Sequence, residues 1–135
     1  MREAMRKVYY CDHCQGRRMR RDAMERHEKH CTANPTRVCR VCDTLGFDAA
    51  PLEELRALMP VVPEDPAPES YGVLTSNAQS AFPALVAAAD GCPACILAAL
   101  RQTRTAGFIA GDTWSYKDAM AEAWKDHDQD DGTYY

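Results

Sequence analysis

The sequence predicts a mostly helical, small α+β protein in which a small N-terminal module is joined to a helical domain. Three observations predict this class. Apolar residues recur at helical spacing in four segments, no segment beyond the first module reads as a strand, and paired cysteines with two residues between them occur three times. At 135 residues, the chain has the length of one domain with a small satellite.

The first cysteine cluster ends shortly before a turn, and this turn divides the chain. Residues 1–10 are a basic lead-in for which we expect a helix, and residues 11–31 carry the first cluster. Asn34-Pro35 predicts the turn. We therefore expect one domain over residues 1–36 and a second, helical domain over residues 37–135.

The helical domain is predicted to begin with a short helix and a stiff segment. Apolar residues between Pro51 and Met59 repeat at helical spacing, Asp48 is a candidate cap, and Pro60 ends the helix. Residues 60–70 hold four prolines and three acidic residues. This composition favours an extended linker or surface loop.

Three further helices complete the predicted domain. An alanine-rich helix covers about residues 76–89, with Pro83 in its first turns, where proline is tolerated, and Gly91 as its stop signal. The next covers residues 93–103. Ser115 and Asp118 form a weak capping box for the last helix. Its apolar side is formed by Trp114, Met120, Ala123 and Trp124, and an acidic, loose tail is expected over residues 126–135.

The first cluster has the spacing of a closed metal site. Two residues separate Cys11 from Cys14, twelve separate Cys14 from His27, and three separate His27 from Cys31. The first pair forms a tight knuckle, and ligands four positions apart lie on one face of a helix. Four such ligands complete a tetrahedron around Zn²⁺, which makes the site structural rather than catalytic. His30 is a rival ligand, but its spacing from His27 is too short for one helical turn.

We therefore expect His30 to face solvent, and His13, inside the knuckle, to support a ligand or to be exposed. Residues 9–31 resemble a C2HC-type zinc finger, the variant whose last ligand is cysteine. The resemblance implies a ββα fold. It places the family's leading aromatic residue on Tyr9, its core leucine on Met24 and its core phenylalanine on Arg18. Because arginine cannot fill that place, Met19 or the tyrosine pair at positions 9 and 10 would complete the core.

The finger carries arginines where such fingers contact bases. Counted back from the first histidine, these positions fall on Arg20, Ala23 and Arg26, and arginine is the usual partner of guanine. Other basic residues would contact phosphates and make binding depend on salt. The predicted nucleic-acid contacts are Arg17, Arg18, Arg20, Arg21, Arg26 and Lys29. One finger reads only about three base pairs, so a protein-binding or structural finger stays open.

Charge is distributed unevenly along the chain. Residues 1–40 hold eleven Lys/Arg and five Asp/Glu, whereas residues 41–135 hold five and fifteen, and the overall net charge is −4. A basic head on an acidic body indicates that residues 1–40 are the part that would approach nucleic acid or a nucleoprotein complex. Ordinary solvated charge explains the asymmetry equally well.

The remaining cysteines form two pairs, Cys39-x2-Cys42 and Cys92-x2-Cys95, with 49 residues between them. With the first cluster they give eight ligands, which fill two tetrahedral sites and leave no cysteine over. The second pair opens a predicted helix, whose N-terminal N–H groups favour thiolates. We therefore predict a four-cysteine zinc site that pins residues 43–91, and two zinc ions in all.

Two other uses of these cysteines stay open. Cys92-Pro93-Ala94-Cys95 at a helix start resembles the active site of a thioredoxin-type oxidoreductase, a fold that needs a strand before the motif. An iron–sulfur cluster also takes four cysteines. No phosphate-binding loop or nucleophile motif is present, and both predicted zinc sites are closed, so we expect no enzymatic activity.

The N-terminus lacks the apolar segment of a signal peptide, and the longest apolar run is far short of a membrane span. We therefore expect a cytoplasmic protein with no membrane partner. Residues 25–31, continued through the turn into the second cluster, are similar to small zinc-finger proteins of bacteria and their phages. The resemblance implies a bacterial or phage-infected host cell and assigns no role.

The sequence thus favours a non-enzymatic, zinc-stabilised protein whose basic finger contacts nucleic acid or a nucleoprotein complex. A protein–protein adaptor, such as a phage assembly or host-takeover component in which zinc is purely structural, is the alternative. A protein partner is expected. A thiol oxidoreductase that uses Cys92 and Cys95 is the second alternative.

Overall fold

The structure, a computed structural model, describes residues 7–131 and confirms the mostly helical, small α+β class. Strands β1 (Tyr9–Tyr10) and β2 (Arg17–Arg18) pair antiparallel. The α-helices are α1 (Arg21–His30), α2 (Arg40–Leu45), α3 (Leu52–Leu58), α4 (Tyr71–Ala88), α5 (Pro93–Gln102) and α6 (Tyr116–Asp131). Two 3₁₀ turns, Pro68–Ser70 and Ala106–Phe108, complete the secondary structure of this part.

The N-terminal module has the ββα order that its resemblance implied. The helix expected over residues 1–10 is wrong at Tyr9–Tyr10, which form β1; residues 1–6 lie outside the described part. The knuckle between Cys11 and Cys14 reverses the chain, so Tyr9 lies opposite Arg18. The backbone pairing that this reversal creates outweighs the weak local preference for helix.

The small core of the module is built around Met24, at the place of the family's leucine. Met24 packs with Cys11 and Cys31, and Tyr9 and Ala33 cover this cluster. Met19 is 55% exposed and Tyr10 is 58% exposed. Of the residues expected to complete the core, Tyr9 therefore does so, whereas Met19 and Tyr10 do not.

The core of the helical domain lies around α5, which packs against α3 and α6, while α3 also packs against α4. Leu55, Leu85, Ile96 and Leu100 are at most 1% exposed. Burial of each such side chain contributes roughly 1.5–3 kcal/mol. Seven of the ten residues of α5 are buried, so neighbouring elements cover most of the circumference of this helix.

The helix starting at Tyr71 begins five residues earlier than predicted, and this moves its proline. Pro83 is the thirteenth of the eighteen residues of α4, not part of its first turns. Proline lacks the N–H that would donate to the carbonyl of Gln79, four residues back. Both residues are exposed, so water can satisfy that carbonyl and the helix continues.

The short helices also differ from the sequence prediction. Helix α2 was not predicted, because six residues are too few to show a period. Pro51, not Asp48, holds the N-cap position of α3. The backbone N–H of Asp48 instead donates to Oδ2 of Asp90 at 2.9 Å, which ties the loop before α3 to the end of α4.

The N-terminal ends of α5 and α6 agree with the prediction, whereas the C-terminal end of α6 does not. Helix α5 begins at Pro93, and α6 begins just after Ser115, whose Oγ accepts from the N–H of Asp118 at 3.5 Å. The backbone of residues 126–131, predicted as a loose tail, belongs to α6, and residues 132–135 lie outside the described part. Trp114 and Met120 pack against the core of the helical domain, as expected for the apolar side of the last helix.

The proline-rich segment over residues 60–70 is a surface loop fixed at one point. Val62 is 2% exposed, and its N–H donates to the carbonyl of Thr103 at 3.0 Å. No helix within residues 7–131 combines the length and the apolar character needed to cross a membrane.

The N-terminal module is held to the helical domain by side chains from the end of α5. Nε2 of Gln102 donates to the carbonyls of Thr32 at 2.9 Å and Asn34 at 3.0 Å. A guanidinium N–H of Arg101 donates to Oγ1 of Thr32 at 2.6 Å. The predicted turn is present at Asn34, whose side chain accepts from the N–H of Thr36 and donates to the carbonyl of Glu28.

Candidate metal centres

The first cluster gathers the four predicted side chains around one point. The ligand atoms of Cys11, Cys14, His27 and Cys31 all lie within 4.8 Å of one another, and Sγ of Cys14 is 3.2 Å from Nε2 of His27. A tetrahedral Zn²⁺ about 2.3 Å from each sulfur places its sulfurs about 3.8 Å apart. The cluster therefore has the donor set and the size to hold one metal ion.

The knuckle is shaped by local backbone geometry that points N–H groups at the sulfurs. The N–H of His13 donates to Sγ of Cys11, and that of Gly16 donates to Sγ of Cys14, both at 3.4 Å. Gln15 reaches this turn with φ of 63°, a conformation that costs a non-glycine residue roughly 1–2 kcal/mol. A Cβ on Gly16 would lie 3.3 Å from Sγ of Cys14, so glycine leaves the sulfur its space.

The other two ligands of the first cluster come from the end of α1. His27 lies in its last turn and Cys31 is its C-cap residue. His30 is half-buried, and its Nδ1 lies 2.7 Å from the carbonyl of Val38. The expectation that His30 faces solvent is met only in part, because the ring is half-buried and donates to the loop after the N-terminal module. His13 is exposed, one of the two outcomes expected for it.

The thiols of the first cluster differ in acidity because they share one site. Burial opposes ionisation of Cys14, but hydrogen bonds from Gly16, His27 and its cysteine neighbours lower its pKa to about 6. Burial raises the pKa of Cys31 to about 11. The neighbouring groups thus stabilise one thiolate in this site. A second thiolate requires a cation between the sulfurs.

The second cluster is formed by the ends of two helices that face each other. Cys39 is the N-cap residue of α2 and Cys92 that of α5, while Cys42 and Cys95 lie in the first turns. Sγ of Cys39 is 3.6 Å from Sγ of Cys92, and Sγ of Cys42 is 3.5 Å from Sγ of Cys95. All four sulfurs lie within 4.8 Å of one another, again the size of a site for a single metal ion.

The N-terminus of α5 was expected to favour thiolates, and α2 supplies a second such N-terminus. Each helix directs its free N–H groups and partial positive charge toward the sulfurs. In α2, the N–H of Cys42 donates to Sγ of Cys39 at 3.4 Å. Cys92 is 0% exposed and Cys95 is 7% exposed, so the sulfurs on α5 are largely shielded from water.

The pKa values of the four thiols in the second cluster also shift in opposite directions, and by more than those of the first cluster. Hydrogen bonds from the thiols of Cys92 and Cys95 hold the pKa of Cys39 far below its usual range. Burial raises the pKa of Cys42 to about 12, and the bonds donated to Cys39 raise the pKa values of Cys92 and Cys95. Four thiolates can therefore coexist only around a positive ion.

The close sulfur spacing also bears on the other uses of these cysteines. A cluster with several iron atoms needs its thiolates farther apart than a single ion does. Helix α4, not a strand, precedes Cys92-Pro93-Ala94-Cys95. The βαβ context of a thioredoxin-type site is thus missing from this segment.

Carboxylates of the N-terminal module pair with several of the predicted nucleic-acid contacts. Arg20 and Arg26 both approach Asp22, and Arg21 approaches Glu25 at 3.2 Å. These pairs are exposed and contribute little to stability, so a ligand can compete for the arginines. Within the described part of the chain, no carboxylate pairs with Arg17, Arg18 or Lys29, which are all exposed.

Sequence reasoning missed a groove that forms between the N-terminal module and the helical domain. Arg18 and Arg26 lie on its finger side, and Arg40, Arg101 and Tyr116 lie on its helical side. These residues are up to 98 positions apart, and the hydrogen bonds from the end of α5 to Thr32 and Asn34, just after α1, hold the two sides together. Neither spacing nor composition carries a signal for such a site.

Similarity to known proteins assigns neither a family nor a function to this chain. No known protein family, no curated protein and no solved structure matches the chain. The two metal centres and the basic surface around them are thus the features from which a function is inferred.

Proposed function

We propose that the chain is a non-enzymatic binding protein that is held together by two structural zinc ions and contacts nucleic acid through its basic finger. The observation that carries the proposal is the grouping of seven cysteines and one histidine into two four-ligand clusters. Three thiolates with one imidazole, and four thiolates, are the donor sets that Zn²⁺ takes in structural sites.

The closed character of both clusters supports a structural role. A catalytic zinc ion keeps one position for water or substrate, whereas here four protein ligands surround each centre. Binding of an ion at each cluster would lower the free energy of the folded state, because the unfolded chain cannot present all four ligands together.

The basic surface of the finger supports a nucleic-acid partner. Arg17 and Arg20 lie on exposed positions around the knuckle and the start of α1, and the phosphate backbone is the common ligand that rewards such clustered positive charge. A partner surface of this kind has to be tested against salt, since phosphate contacts weaken as counterions increase.

Metal content per chain and retention on heparin or DNA test the two halves of the proposal. We expect two zinc ions per chain by elemental analysis, and retention that falls steeply as salt rises. Arg20→Ala/Arg26→Ala should elute earlier, while Arg104→Ala, which removes an exposed arginine of the helical domain, should not. One or no zinc, or no retention at low salt, would refute the corresponding half.

A specific surface observation favours a second candidate, a protein–protein adaptor. Several large apolar side chains around the proline-rich loop are exposed, and Val61 is 74% exposed and Val73 is 62% exposed. Exposed apolar side chains of this kind mark surfaces for protein partners when they are contiguous. Val61→Ser/Val73→Ser should abolish co-purification of a partner if the adaptor is correct, and should leave heparin retention unchanged.

A further inference from the structure

The basic groove between finger and helical domain, defined by Arg18, Arg26, Arg40, Arg101 and Tyr116, is a preformed concavity. Its volume is about 640 Å³, within the roughly 300–1,000 Å³ of ligand pockets. No carboxylate is among the described side chains that line it. From these observations we infer that the groove binds single-stranded nucleic acid; this rests on the proposed function and adds the helical domain to its contact surface.

The groove is held open by hydrogen bonds rather than by loose contact. Gln102 donates two bonds across the junction to Thr32 and Asn34. Arg101 uses one N–H on Oγ1 of Thr32, and its guanidinium has five donors. The remaining donors are available to phosphate oxygens in a fixed geometry, which lowers the entropic cost of binding.

The surroundings of His27, a predicted metal ligand, are a second observation that favours an anion in the groove. His27 lines the groove, its Nε2 points toward Cys14, and its Nδ1 lies 3.4 Å from a guanidinium nitrogen of Arg18. When Nε2 binds a metal ion, Nδ1 carries the proton, so two donors face each other. Metal-bound histidines normally donate this proton to an acceptor, and a phosphate oxygen between Arg18 and His27 would accept from both.

The shape of the groove favours a single strand over a duplex. Ala23 and Arg26, which would face the bases in a DNA-bound finger, line the groove across from Arg101 and Tyr116. A duplex major groove takes a helix from an open side, whereas here the helical domain stands over that side. Arginines beside an aromatic ring are the combination that holds single strands, through phosphate contacts and stacking on a base.

The test measures binding of fluorescent oligothymidylate and oligouridylate of about ten nucleotides, within the usual range for one small domain. Arg40→Gln/Arg101→Gln should weaken binding and lower the slope of log K against log salt by about 1.4, or about 0.7 for each lost phosphate contact. The matched control, Arg104→Gln/Lys125→Gln, removes two exposed charges outside the groove and should leave the slope unchanged. Binding of either oligonucleotide supports the inference; the two differ in the 2′-hydroxyl and in the methyl group of thymine, so a preference shows that at least one of these groups is read.

Substitution of the tyrosine separates stacking from charge. Tyr116→Ala should weaken binding about fivefold or more, because one stacked base is lost, whereas Tyr116→Phe keeps the ring and should bind as wild type. Zinc content and the thermal midpoint of each variant are measured alongside, so that a folding defect is recognised.

The outcomes separate this inference from the proposed function. If Arg17→Gln/Arg20→Gln weakens binding but the groove variants behave as their control, nucleic-acid binding stands and the groove is not its site. Tighter binding of a duplex, or equal competition by polyglutamate, would overturn the single-strand inference. If the wild-type protein binds no oligonucleotide at low salt, the proposed function fails together with the inference.

Discussion

Gln102 links the N-terminal module to the helical domain, and its replacement by methionine tests whether the two are one cooperative unit. Its side-chain N–H groups donate to the carbonyls of Thr32 and Asn34 at 2.9 and 3.0 Å. Methionine has a similar length and no donor. The change therefore removes both bonds while it keeps the packing volume.

The magnitude follows from the number of bonds and from one opposing effect. Each neutral hydrogen bond contributes roughly 0.5–1.5 kcal/mol, so two bonds contribute about 2 kcal/mol. Oε1 of Gln102 is buried without a partner in the described structure. Removal of this unpaired oxygen recovers part of the free energy that is lost with the two bonds. We expect the free energy of unfolding to fall by about 1–2 kcal/mol, which for a chain of this size lowers the thermal midpoint by about 3–8 °C.

Urea denaturation of the zinc-loaded protein, followed by circular dichroism, measures this change. Gln79→Met is the control, because Gln79 is an exposed glutamine of α4. Faster hydrogen exchange around Thr32 and Asn34 should accompany the loss in the Gln102 variant. If Gln102→Met unfolds at the same urea concentration as Gln79→Met, the bonds across the junction do not stabilise the N-terminal module.

Four further predictions address the metal sites and the backbone. Gly16→Ala should weaken metal binding at the first site in a competition assay with a chelating dye, because its Cβ would lie 3.3 Å from Sγ of Cys14; unchanged affinity would show that the knuckle yields. Cys95→Ser should reduce zinc content to one ion per chain, while Asp90→Ser, outside both clusters, should keep two. Raised pKa values keep four thiols protonated at neutral pH, those of Cys31, Cys42, Cys92 and Cys95. Metal binding should therefore release at least four protons and become weaker as the pH falls. Calorimetry in two buffers measures this release, and a finding of no released protons would contradict the prediction. Arg104 is exposed and has a φ of 61°, so Arg104→Gly should raise the free energy of unfolding by roughly 1 kcal/mol. A decrease would mean that the arginine side chain stabilises the fold by more than the backbone strain costs.

The sequence predicted what depends on neighbouring residues and missed what depends on packing. The first cluster was recognisable because its four ligands lie within 21 residues and one helical turn dictates the last spacing. The second was predicted from ligand count, and the structure brings Cys39 and Cys92 together across 53 positions. The ends of α5 and α6 were recognisable because Pro93 and Ser115 are local signals.

Other features had no local signal. The start of α4 lies at Tyr71, beside Gly72, whose presence argues against a helix and is tolerated because the segment packs on the 3₁₀ turn Ala106–Phe108. Pro83 predicts a break in a helix because it cannot donate a backbone hydrogen bond. Its exposed position in α4 lets water replace that bond, so the helix continues. Arg40 and Arg101 join the basic groove only after the helical domain has folded.

The two metal centres become available at different times while the chain is synthesised. The first has all its ligands once residue 31 has left the ribosome, whereas the second waits for Cys95, 64 residues later, or about 3–13 s at ordinary translation rates. In that interval Cys39 and Cys42 exist as an incomplete pair with no counterpart. The ligands of the first site are therefore complete while those of the second are not, and completion of the second set closes the long loop between Cys42 and Cys92.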